Sequence, residues 1–109
     1  MKRFALAVVL FAACLGVFSC RTRDMRTVTI SVPEMKNEHC RNVIAAALVK
    51  TDGIEPSLIR FADRSVTVTY DSMRLAVKNI ESTIADAGFA ANDTPANADA
   101  RYALPPECK

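Results

Sequence analysis

Hydrophobic and polar positions alternate strictly over Arg26-Thr-Val-Thr-Ile-Ser-Val32, which places Val28, Ile30 and Val32 on one side. Period-2 alternation of this kind marks a half-buried β-strand. Pro33 to Lys36 interrupt it. Asn37 then stands as a helix N-cap, able to accept from the unpaired N–H groups of the next turn. Cys40, Val43, Ile44, Ala47 and Leu48 follow at helical spacing and form one apolar face. Lys50-Thr-Asp-Gly53 closes that helix with a glycine beyond the last turn.

Ser57 to Phe61 reads as a second strand entered through Pro56, and Ala62-Asp63-Arg64-Ser65 as a turn. Val66-Thr-Val-Thr-Tyr70 alternates again, so residues 57–70 predict a hairpin. Ile80, Ile84 and Ala87, preceded by Ala76 or Val77, mark a second amphipathic helix that starts between Asp71 and Ala76 and stops at Gly88. Phe89-Ala90-Ala91 is a candidate short last strand. The order strand, helix, strand, strand, helix, strand predicts an α+β class fold. It is the ferredoxin-like βαββαβ sandwich, an antiparallel sheet with two helices on one face. Residues 26–91 carry that domain. Asn92 to Lys109, with Pro95, Pro105, Pro106 and many small residues, read as a flexible, extended, Cys-containing tail.

The front of the chain follows neither period. Phe4 to Phe18 is a run of 15 uncharged residues, all apolar except Gly16, behind Met1-Lys2-Arg3. A basic start followed by a short apolar run is the layout of an export signal. The run falls short of the roughly 20 residues that span a bilayer as a helix. Val17-Phe18-Ser19-Cys20 resembles a bacterial lipobox, which gives a signal peptide at 1–19, a lipidated Cys20, and a tether over 20–25. Phe11-Ala12-Ala13-Cys14 is an alternative lipidation site. The expected location is the cell envelope, as an exported lipoprotein held at a membrane, where disulfides are permitted.

With 109 residues the chain has room for one domain. Lys2 and Arg3 belong to the signal, so 12 of the 14 basic residues remain in the mature chain, against 12 acidic ones. A neutral domain without a basic stripe offers nothing to nucleic acid. An enzyme is not indicated either, since the chain has no acid/base pair, no nucleophile with a partner histidine at a telling spacing, and no phosphate loop.

Chemistry concentrates in Met35-Lys36-Asn37-Glu38-His39-Cys40. This segment resembles the metal loop, M-x-C-x-x-C, of the heavy-metal-associated domain family of small copper chaperones and metal-transporting ATPase modules. Met35 and Cys40 stand at the motif's Met and second Cys. Val66-Thr-Val-Thr-Tyr70-Asp71 and Ile84-Ala-Asp-Ala-Gly88-Phe89 are similar to the family's third-strand and second-helix endings. The resemblance spans residues 26–91 and implies binding of a soft heavy-metal ion, such as Cu(I), for which thiolates are suited. It also implies a metal-transporter partner in the envelope.

Asn37 occupies the place of the first cysteine, so the loop itself offers one thiol and Asn37 reads as a cap. Cys40 sits in the first helical turn, where unpaired N–H groups and the helix dipole favour thiolate. His39 is a candidate co-ligand. Met35 and Phe89 read as packing beneath the loop. With Cys20 acylated, Cys40 and Cys108 are the side-chain thiols left. Three arrangements remain open: Cys108 as the missing metal ligand, a Cys40–Cys108 disulfide, or a dimer sharing an ion between two Cys40 thiolates. The lead function is a membrane-anchored metal-binding or chaperone-like module. The alternative is a metal-free interaction domain with a decayed loop, stapled by that disulfide.

Overall fold

The computed structural model describes residues 23–109. The export signal and the lipidation at Cys20 or Cys14 lie outside the described residues. Strand β1 (Met25–Ser31) pairs antiparallel with β3 (Ser65–Asp71), in register from Met25↔Asp71 to Ser31↔Ser65. β3 pairs on its other side with β2 (Arg60–Ala62), giving the order β1-β3-β2. The alternation acts as the sequence predicts. Ile30, Val66 and Val68 are fully buried on one face. On the other face Thr27 pairs with Thr69 and Thr29 with Thr67 through their hydroxyls, at 3.1 and 3.0 Å. Such cross-strand pairs fix the register of a sheet whose second face is wet.

Helix α1 (Glu38–Val49) buries Cys40, Ile44 and Leu48, and α2 (Val77–Asp86) buries Ile80 and Ile84. Both stripes join the sheet residues, Met35 and Phe89 in one core. This is the ferredoxin-like arrangement. The unclear start of the second helix resolves at Ala76, whose N–H donates to the Asn79 side chain at 2.9 Å.

Three expectations are corrected. The strand expected from Ser57 is broken, because Pro56–Leu58 is a 3₁₀ turn whose first position suits proline's fixed φ. The partner of β3 is therefore split. Ile54 bridges Tyr70 and Glu55 N–H donates to Thr69 O before the turn, and β2 follows it.

Residues 89–91 form no strand. Phe89 points into the core, and Asn92, at φ +50°, turns the chain away. Asn92 still completes the edge of β1: its N–H donates to Ser31 O (2.8 Å) and its Oδ1 accepts from Ser31 N–H (2.9 Å). Its Nδ2 donates to Glu81, as does the Thr94 hydroxyl, at 2.9 and 2.8 Å. These bonds hold the buried Glu81 carboxyl below the usual glutamate range, Asn92 first and Thr94 next, with smaller help from Lys78 and against the opposing effect of burial.

The third correction is the tail, which is folded rather than extended. Asn97 caps a short helix α3 (Ala98–Tyr102), accepting from Ala100 N–H at 3.0 Å, and a 3₁₀ turn follows at Pro106–Cys108. Leu104 and Cys108 are buried in the main core. Arg101 forms an ion pair with Glu34 in the loop before α1, and Glu34 also accepts from Ala90 N–H. The small and proline-rich composition therefore belongs to a segment that lies close over the domain, held by a few specific contacts.

Candidate metal centre

The loop after β1 delivers Asn37 to the start of α1. Its backbone is extended and its Oδ1 accepts from Cys40 N–H at 3.1 Å, the capping geometry that begins the helix. Cys40 lies in the first turn, fully buried. The folded tail brings Cys108, equally buried, against it. The two are joined by a disulfide across 68 positions with a Cα–Cα distance of 5.6 Å.

Several contacts around the sulfurs tie loop to tail. Asn37 Nδ2 donates to Glu107 O at 3.2 Å, and Lys36 Nζ donates to Lys109 O at 2.9 Å. Lys109 Nζ in turn stands 5.0 Å from the centre of the Tyr102 ring, within cation–π range. Met35 and Phe89 lie in the core, at 2% and 0% exposure. Neither offers a ligand at the surface.

His39 is more than half exposed and its Nε2 stands 4.0 Å from Glu107 Oε1. Among the described residues, no group of three or more His, Cys, Asp and Glu side chains is placed to hold one ion. The structure thus brings together Cys40 and Cys108 and leaves His39 at the rim. Sequence reasoning missed Glu107, Lys36, Glu34 and Arg101. Their contacts link positions about 70 apart through a tail that gives no periodic signal.

Chemically the pair has two states. Oxidised, it is a covalent link between tail and helix. Reduced, it is a pair of thiols beside a helix N-terminus, whose N–H groups and dipole favour thiolate. Two thiolates suit soft ions.

The likenesses to known proteins follow this geometry. The chain is 30% identical to a mercuric transport protein periplasmic component of Pseudomonas fluorescens over 89 residues, covering 82% of this chain and 93% of that one. It is 33% identical over 60 residues to the copper chaperone CopZ of Staphylococcus haemolyticus, covering 55% of this chain and 88% of the chaperone. The crystal structure of oxidised MerP from Ralstonia metallidurans superposes with a TM-score of 0.58 at 28% identity, over 63% of this chain and 96% of that one. Residues 29–90 match the model of the heavy-metal-associated domain, and the chain belongs to that family.

Proposed function

We propose that this protein is an exported module that binds one soft heavy-metal ion through Cys40 and Cys108 in their reduced form and passes it to a metal transporter in the envelope. It is a binding module and not an enzyme, like its named relatives, a transport component and a chaperone. The observation that carries the reading is the placement of Cys108 beside Cys40, at the helix start where the family loop lies. Cys40 falls inside the span matched to the family and Cys108 outside it, so the tail supplies the thiol that Asn37 does not.

Copper and mercury both fit two thiolates, and the relatives' names include both. Export to the envelope agrees with the periplasmic relative, and a lipid on Cys20 would keep the module at a membrane. A dimer sharing an ion between two Cys40 thiolates first requires the internal disulfide to open.

The test is titration of the full-length protein with Cu(I) and with Hg(II) against a competing chelator, reduced and oxidised. The reduced protein should hold one equivalent, and the oxidised protein and the Cys40→Ser and Cys108→Ser variants should hold less. Equal binding by wild type and Cys40→Ser would refute the assignment.

One observation favours a second reading. Both cysteines are fully buried and joined, as in a structural staple, which suits a metal-free interaction domain. Under that reading reduction unfolds the tail and no metal is retained.

A further inference from the structure

Asn37 stands where the family loop carries its first cysteine, and its amide is used at both ends. Oδ1 accepts from Cys40 N–H at 3.1 Å, and Nδ2 donates to Glu107 O at 3.2 Å. The partners fix the orientation of the amide, because a backbone N–H requires the oxygen and a carbonyl requires the nitrogen. One short, planar group therefore ties the turn that carries Cys40 to the residue before Cys108. Lys36, beside it, holds the residue after Cys108. Loop residues 36 and 37 thus grip the tail on both sides of the second thiol, through bonds that involve no sulfur.

We propose that Asn37 is the positioning residue of the two-thiol pair: it keeps Cys108 beside Cys40 when the disulfide is open. The pair then recloses, or closes on one soft metal ion, without the tail leaving the loop. The metal half of this statement rests on the binding function proposed above; the thiol half does not. The departure from the family loop thereby gains a physical reason. A cysteine at position 37 would provide a local thiol, and an asparagine provides an anchor for a distant one. Serine and aspartate share the capping acceptor of asparagine but lack its amide donor.

The experiment uses the full-length protein and the variants Asn37→Ser and Asn37→Asp. Each is equilibrated with reduced and oxidised glutathione, the free thiols are alkylated, and the Cys40–Cys108 disulfide is quantified by mass. Two glutathione thiols reduce the protein disulfide and leave as glutathione disulfide, so the equilibrium constant reports how closely the protein thiols are held. Loss of one hydrogen bond should move that constant two- to tenfold toward the dithiol. Thermal unfolding of the reduced variants should stay near that of reduced wild type, because the cap is retained. Cu(I) competition should weaken in parallel.

A wild-type thiol–disulfide equilibrium in both variants would overturn the positioning role, even if metal binding still required both cysteines. A shifted equilibrium would support it even if Cys40→Ser and Cys108→Ser bound Cu(I) like wild type. In that case the metal-binding function fails and the positioning role stands.

Discussion

Leu104 lies against the bare backbone of Gly88: a Cβ at Gly88 would stand 2.8 Å from Leu104 Cδ1, 3.0 Å from Arg101 N and 3.1 Å from Ala100 C. Gly88 also adopts φ +104°, a conformation that side chains strain. The glycine that ends α2 therefore serves as the seat of α3. Gly88→Ala should cost about 1–2 kcal/mol from the backbone alone, and more because backbone atoms of α3 cannot yield. The expected result is a lower unfolding midpoint together with a glutathione equilibrium moved toward free Cys40 and Cys108. A variant with wild-type values of both would show that the tail is not seated on Gly88.

The same residue shows what the sequence could reveal. Gly88 was legible as a helix stop, because that signal is local. Its second task depends on Arg101 and Leu104, which nothing in the order of residues connects to it. Strands β1 and β3 and the stripe of α1 were legible because their periods repeat several times. Apart from alanine and proline the tail carries only Tyr102, Leu104 and Cys108 as apolar residues, too few to display a period, and its prolines read as extension. Asn92 gives no sequence signal for a related reason: it completes the edge of β1 with one side chain and one N–H, where a strand would show alternation.

The Cys40–Cys108 bond closes a 68-position loop. In the chain-entropy view a loop of that size contributes about 4 kcal/mol, and measured disulfides commonly give 2–4. Cys108→Ser should therefore lower stability by about 2–4 kcal/mol in urea unfolding of the oxidised proteins. Under reducing conditions the loop-closure share of the gap should vanish, leaving only the cost of burying a hydroxyl where a thiol stood. A gap that persists undiminished after reduction would mean that Cys108 acts through packing.

Glu81 gives a pH dependence with a definite sign. Its folded pKa is depressed, so the ionised form is favoured by folding and the contribution is complete above the unfolded glutamate pKa, near 4.3. It should fade as pH falls from there through the lower folded value. Glu81→Gln should remove that slope and lower stability at neutral pH, since one oxygen that accepts from Asn92, Thr94 or Lys78 is replaced by an amide donor. Chemical unfolding of both proteins between about pH 3 and 7 measures it. Parallel stability curves for the two would exclude Glu81 as the source.

The sharpest question about the site is whether position 37 still lies at a ligand position. Asn37→Cys removes the amide that grips Glu107 and places a thiol three positions before Cys40. Loss of the cap should cost about 1 kcal/mol. The introduced thiol should then compete with Cys108 for Cys40, so that peptide mapping of the oxidised variant finds two disulfide isomers. Metal binding should also cease to depend on the tail. On the wild-type background Cys108→Ser should weaken Cu(I) retention, whereas on the Asn37→Cys background it should leave retention intact. If the combined variant loses the metal as readily as Cys108→Ser alone, position 37 does not face the site, and the asparagine is only a cap and a clamp.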